Sequence, residues 1–247
     1  MKKFILLVSF ILLGYQANSQ VLISILLGDK LNSDGLEFGL ETGVNWSKIS
    51  DLESSKALGT WNIGFYFDIR IKNQWYLYTG VLVKSKLGVD ELTENDLQLL
   101  NTTVYEENGD YSQKINYFLV PAFAKYKFDN HIYLEAGPQF GLMYKAWIEY
   151  NSDIDGRESK IKESNKDLIN KLDAGFSVGA GYTLFKGNGM TIGAKYYLGL
   201  TDVYKDISGT KNSSFFLKAN IPIGAGKKDK KQEEVTTLWK TLLNYTQ

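Results

Sequence analysis

From Leu36 onward apolar side chains recur at every second position through eight separate segments, and this pattern restricts the chain to strands. Leu36, Phe38, Leu40, Val44 and Trp46 share one parity, while Glu37, Gly39, Glu41, Gly43 and Asn45 share the other. Trp61, Phe65, Phe67 and Ile69 oppose Asn62, Gly64, Asp68 and Arg70 in the same way, and Leu172, Phe176 and Val178 oppose Asp173, Gly175 and Ser177. Successive side chains leave opposite faces of a sheet, so each segment has one oily face and one face rich in glycine and charge. The predicted strands cover 36–47, 58–71, 75–89, 113–128, 131–149, 169–185, 190–204 and 213–224. In the fourth, both faces carry apolar residues. Lys125 decides the sense there, with Phe118, Val120, Ala122 and Ala124 on the oily side. Pro121 lacks a ladder donor and predicts a bulge or break at its position.

The connections alternate in length. Lys72-Asn73-Gln74, the step at Asp129-Asn130, and Lys186 to Gly189 are tight turns, while 48–57, 90–112, 150–168 and 205–212 are long polar links. Antiparallel strands joined alternately by short and long loops close as an up-and-down barrel. This loop order is the one found in outer-membrane barrels, with short turns in the periplasm and long loops outside. The expected fold is therefore all-β: an eight-stranded antiparallel up-and-down transmembrane β-barrel over 36–224. The first residues agree with export. A basic start at Lys2 and Lys3, an apolar run from Phe4 to Gly14 and small residues at Ala17 and Ser19 predict a signal peptide over 1–19, cleaved before Gln20. The apolar run is too short to span a bilayer, which needs ~20 residues.

Composition removes most chemistry. Lys+Arg and Asp+Glu both number 28, so no net charge is available to grip nucleic acid. No cysteine is present, which excludes disulfides and thiolate sites, and the single histidine, His131, excludes multi-histidine metal centres. His131 falls at a short turn, away from the long loops where barrel-surface chemistry would need it. The glycines at 179, 181, 187 and 189 lack the spacing and following helix of a phosphate cradle. Asn151 to Gly156 imitates the start of a calcium loop, but Lys162 stands where a bidentate Glu is required. The expectation is no enzyme, no cofactor, no metal and no nucleic-acid partner.

Which face meets lipid follows from cost. With the polar face outward, Glu41, Lys195 and Lys218 would sit near mid-strand in hydrocarbon, and a midplane Lys alone costs ~2–4 kcal/mol. The oily face therefore points out. Trp46, Trp61, Trp75 and Trp147, all near strand ends, are expected to form the aromatic girdle. The interior is then expected to hold Glu37, Glu41, Asp68, Arg70, Lys84, Lys86, Lys125, Glu135, Lys145, Asp173, Lys195 and Lys218 as a charge network. Buried charges must pair, and eight strands leave a lumen just wide enough for side chains, so this network should tie the wall together and leave the barrel closed or nearly so.

Leu26 to Ser33 followed by Leu36 to Asn45, together with Asn116-Tyr117-Phe118-Leu119-Val120-Pro121 and Lys125-Tyr126, resembles Bacteroidetes-type outer-membrane β-barrel proteins of Gram-negative cells, the porin-family or PorT-like group. That resemblance implies the fold and the outer-membrane address. It implies no reaction. The family's usual acidic residue in the mid-barrel strand is replaced here by Leu119.

Two appendages exceed a minimal barrel. Residues 20–35 are a periplasmic N-terminal segment, apolar almost all round from Val21 to Leu31. Residues 225–247 begin with a charge run and continue with Val235, Leu238, Trp239, Leu242 and Leu243 at helical spacing, an amphipathic tail. Each is expected to form a short helical segment at the periplasmic mouth or to dock a partner. The link from Asp90 to Asp110 carries seven acids and no Lys or Arg, and reads as a solvated face. Taken together, the chain reads as a monomeric barrel in outer-membrane lipid. Its role is structural or binding, exerted through the long outer loops and the periplasmic ends on a periplasmic or extracellular protein. The alternative is narrow porin-like passive transport of ions or small solutes.

Overall fold

The structure, a computed structural model, describes residues 35–154, 157–184 and 189–223. Its strands are β1 (Leu36–Ile49), β2 (Lys56–Lys72), β3 (Trp75–Asp90), β4 (Asp110–Lys127), β5 (Ile132–Ile154), β6 (Arg157–Ser164), β7 (Leu172–Thr183), β8 (Thr191–Asp202) and β9 (Lys211–Pro222). All pairings with recorded register are antiparallel. The order is β4-β3-β2-β1-β9-β8-β7-β5-β6, and a further β4–β5 pairing turns the sheet into an eight-stranded ring, with β6 left as an extension of β5. The eight expected strands are all present within a few residues of their predicted limits. What the pattern did not reveal is β6, which pairs with Trp147–Ile154 inside the expected long link, and a short helix α1 (Glu94–Leu99). The predicted signal peptide (1–19), the segment 20–34 and the tail 225–247, with Val235, Leu238, Trp239, Leu242 and Leu243, lie outside the described residues. Of the unit formed by Met1–Phe38 and Pro222–Gln247, the described part shows the Ile223 amide donating to the Phe38 carbonyl at 2.9 Å.

The barrel wall is formed by the unit Gly39–Ile221. Its outer face is apolar where the pattern says it should be: Phe65, Ile69, Val120, Leu134, Phe140, Phe176, Val178, Leu198 and Leu217 are all exposed. So continuous a band cannot face water. Trp46, Trp61 and Trp75 are exposed at its margins. Trp75 lies opposite Lys72, and the stretch of β2 from Trp61 to Lys72 covers about 36 Å at ~3.3 Å per residue, or about 28 Å along the axis at a ~40° strand tilt. That height suits the ~25 Å apolar band of a membrane barrel.

Pro121 does not break β4. It faces inward opposite Gln139 in a continuous strand, and its carbonyl accepts from Thr79 Oγ1 at 2.9 Å. The irregularities fall one step away, on the neighbours of β4. In β3 the register slips between Leu82, opposite Leu119, and Ser85, opposite Tyr117. In β5 it slips between Met143, opposite Tyr117, and Lys145, opposite Asn116. Each bulge inserts one residue, so Val83 and Lys84 are both exposed, as are Tyr144 and Lys145. Beyond the bulges the inward parity is exchanged.

Several glycines on the inner face make room for aromatic rings. A Cβ on Gly193 or Gly181 would overlap the Tyr133 hydroxyl, and one on Gly175 would lie 2.6 Å from the Tyr197 ring. The rings lie flat against the wall because those side chains are missing. Gly193→Val should therefore push Tyr133 off its seat. Overpacking costs ~1–3 kcal/mol, and the temperature at which the compact gel band converts to the unfolded one should fall by several degrees. Gly59→Ala, whose Cβ would meet Trp46 at an ordinary 3.5 Å, should leave it unchanged.

Candidate functional site

The interior has two storeys. In the storey nearer the short turns, charged side chains from six strands meet in the bore. Asp68 of β2 receives Lys125 at 2.9 Å and Lys127 at 2.8 Å from β4. Glu135 of β5 pairs with Lys218 of β9 at 2.6 Å, and Glu41 of β1 with Lys195 of β8 at 3.7 Å. All but Lys127 are essentially without solvent contact. Aromatic rings fill the space between them. Tyr66, Tyr78 and Phe123 stack in a row with centroids 5.9 Å apart. Lys125 Nζ stands 4.2 Å from the Tyr133 ring centroid, and Lys218 Nζ stands 4.0 Å from that of Tyr78. The Tyr78 hydroxyl donates to Glu41 and accepts from Asn220 Nδ2 at 3.2 Å. Three carboxylates thus face three fully buried ammonium groups across aromatic faces. Each buried ion is held by its opposite and by ring quadrupoles, with the partly exposed Lys127 as a fourth ammonium group on Asp68.

The other storey differs from expectation. Above the bulges an apolar cluster is buried, with Leu87, Val89, Ile115, Ile148 and Ile169 in it, beside a hydrogen-bonded Gln113 and Asn165. The long loops fold over it. Thr93 and Asp96 form a capping box that starts α1, and Leu92, Leu97 and Leu100 enter the cluster from that segment. Asp96 also accepts the amides of Glu53 at 2.8 Å and Ser54 at 3.0 Å, tying the β1–β2 loop to the β3–β4 loop. On the other side Ile169 bridges to Tyr204, and the Lys205 amide donates to Leu168. Burial pushes the Tyr204 phenol well above its ordinary range. Beyond the bilayer nothing rewards an oily outer face, so the oily residues turn inward and form an ordinary core.

Seven of the twelve expected lumen charges, Glu41, Asp68, Lys125, Glu135, Asp173, Lys195 and Lys218, are buried in the interior. Asp173 lies apart from the ion pairs, accepting from Asn212 Nδ2 and Thr201 Oγ1, each at 3.2 Å. Glu37 is half-buried. Arg70 keeps inward parity but is exposed at the short-turn end, where its guanidinium donates to the Tyr76 hydroxyl at 2.9 and 3.0 Å. Lys84, Lys86 and Lys145 are corrections: the bulges carry them to the outer face. Trp147 is another correction to the girdle. It lies past the bulge on the outer side but is buried, with its Nε1 donating to Glu149 at 3.1 Å. The acidic link is likewise not simply solvated, since Asp96 is a buried cap. Asn151–Ile154 belong to the β5–β6 hairpin, whose extended backbone does not wrap as a calcium loop does.

The displaced lysines are not scattered. Lys86 and Lys145 flank Asn116, Lys114 lies opposite Trp147, Lys162 opposite Glu149 and Lys160 opposite Asn151. Lys86, Lys145 and Lys162 place Nζ 5.4, 5.2 and 5.6 Å from the Trp147 ring centroid, and Lys84 stands 3.7 Å over Trp61. Glu149 is the carboxylate among them, receiving Lys114 at 2.6 Å, Lys162 at 3.5 Å and Lys160 at 3.8 Å. Burial alone would raise its pKa. The bonds from Lys114 and Trp147 and the lysine charges win, lowering it to about 2.

A family model described as an outer membrane protein beta-barrel domain matches residues 16–205. The chain belongs to this family. Similar solved structures include Ail, the attachment invasion locus protein of Yersinia pestis, solved with a heparin analogue, at 14% identity and a TM-score of 0.42, covering 77% of this chain and 99% of Ail. Neisserial surface protein A is similar at 12% identity and 0.39, covering 76% and 99%. The outer membrane protein OprG from Pseudomonas aeruginosa is similar at 10% identity and 0.31, covering 76% and 91%. No curated protein matches the chain.

Two outcomes follow from these ion pairs. Lys218→Met strands the Glu135 carboxylate and should cost ~3–5 kcal/mol in urea unfolding from detergent, whereas the double variant with Glu135→Met should recover most of the loss. Glu149 has a lowered pKa, so its contribution is present above the free-chain value of 4.5 and lost as pH falls toward about 2. A carboxyl carbon titration by NMR should give a midpoint near 2, returning toward ~4 in Lys114→Gln.

Proposed function

We propose that this chain is an anchored, non-conducting and non-catalytic outer-membrane barrel whose working surface is the cap of long loops with the projecting β5–β6 hairpin. The observation that carries this reading is the filled bore: paired ions and stacked rings in one storey, and an apolar cluster sealed by α1 and the loops in the other. A plug of paired ions and packed rings leaves a passing ion no open path, and breaking a buried pair to open one would cost several kcal/mol. The wall instead holds the loops rigidly at the long-loop end, which faces outward in a barrel whose short turns face the periplasm. In this reading residues 1–19 direct export and are removed, and the opening and mid-barrel motifs place the chain with Bacteroidetes-type PorT-like barrels. The periplasmic ends supply a second binding surface for a protein partner, and the barrel acts as a monomer.

The test is electrical. Full-length protein, refolded and verified by its heat-dependent gel shift, should give no reproducible conductance steps in planar bilayers and no swelling of sugar-loaded liposomes. Large, uniform steps would overturn the closed-bore reading and favour passive transport.

A further inference from the structure

The lysine cluster on the outer wall has no part in plugging the bore or holding the loops. Lys84 and Lys86 of β3, Lys114 of β4, Lys145 of β5, and Lys160 and Lys162 of β6 share one face on four neighbouring strands. Glu149 is the carboxylate that answers them; among the described residues Lys84, Lys86 and Lys145 have no carboxylate within ion-pair distance. Asp110, Asp153 and Glu158 lie further toward the hairpin tip, opposite Asn151 or each other, and Glu163, opposite Ile148, belongs to the other face of β6. So a chain with balanced charge gathers a local excess of cations. Like charges placed this closely repel, and a rigid β-scaffold forbids them to disperse.

Depth selects the ligand. Immediately below the cluster the same face is oily: Phe118 and Tyr144 stack with centroids 4.6 Å apart, and Lys84 lies over the exposed Trp61 at the edge of the apolar band. The cations therefore stand on the side of the wall, at the height where acyl chains give way to headgroups. At their centre the buried Trp147 ring provides a flat floor, with three ammonium groups above or beside it at similar distances. Glu149 keeps its charge through any physiological pH and cancels one lysine, leaving the remainder to a multivalent anion. The geometry points to a binding site on the outer wall for the phosphorylated headgroup of an outer-leaflet glycolipid, its acyl chains running down the apolar face beside Phe118 and Tyr144. This rests on the outward orientation of the long loops given above.

The experiment uses the full chain refolded in neutral detergent, titrated with bisphosphorylated lipid A, with the same lipid dephosphorylated, and with inorganic phosphate, and read by native mass spectrometry for retained ligand. The bisphosphorylated lipid should be retained and the dephosphorylated one lost. Lys84→Gln/Lys86→Gln/Lys145→Gln should weaken retention about 100-fold, since a lysine near an anionic lipid surface contributes roughly a factor of five. Lys160→Gln/Lys162→Gln, on the strand outside the ring, should weaken it about 25-fold and serves if the triple variant does not fold. Equal retention of both lipids, retention unaffected by the variants, or inorganic phosphate held as tightly as the lipid would each overturn the assignment. Failure of the barrel reading itself would be seen separately, as a wild-type protein without a heat-dependent gel shift.

Discussion

The pairing of β4 with β5 and of β1 with β9 is the constraint on which everything else rests. In hydrocarbon each unpaired amide or carbonyl costs several kcal/mol, and an open sheet would present two edges of them. Closure removes the edges, and once eight strands close, the bore diameter is fixed. The inner side chains must then fill a space they cannot enlarge. Glycine at Gly181 and Gly193 is the counterpart of Tyr133: Gly181 lies beside it on the next strand and Gly193 on the strand after, and the ring can lie flat along the wall only because neither carries a Cβ.

Within that space the charges solve a problem of polarity. A polar inner face keeps ionic groups out of lipid, but it also takes them out of water. Lys125, Lys195 and Lys218 meet Asp68, Glu41 and Glu135, and the tyrosine and phenylalanine rings supply the remaining contacts. The pairs reach over one intervening strand, β1 to β8 and β2 to β4, or over two, β5 to β9, so they tie together strands that share no backbone hydrogen bonds. Above the membrane band the solvent changes and the packing logic changes with it. Water surrounds the wall there, the oily residues turn in, and the loops bring Leu92, Leu97 and Leu100 to cover them.

The two bulges mark the boundary between these regimes. They lie on either side of the same stretch of β4, and each adds one residue to its strand. One extra residue exchanges inner and outer faces for everything beyond it. The same step that sends Leu87 and Ile148 into the upper core therefore sends Lys86, Lys145 and Trp147 to the outer rim. Apolar closure above and a cationic collar at the membrane edge have a single backbone cause.

Strand number, strand limits, the oily sense of the outer wall and most of the ionic bore were legible in the sequence, because alternation is a local property that a straight strand transmits to the fold unchanged. Lys218 could be placed inside from parity alone, and Lys125 from the cost of a charge in lipid. Lys84, Lys86, Lys145 and Trp147 could not, because a bulge depends on how neighbouring strands register, and no residue type at Val83 or Tyr144 announces the slip. The Pro121 signal pointed to the right neighbourhood but the wrong strand. The β5–β6 hairpin escaped notice because Arg157–Ser164 is charged on both faces and has no core to alternate against. The amino-acid order by itself determined a closed barrel with an oily exterior, since hydrocarbon tolerates no other use of eight alternating ribbons. Which charges meet across the bore, and which are carried out to the rim, only the tertiary structure decided, because both depend on interstrand register.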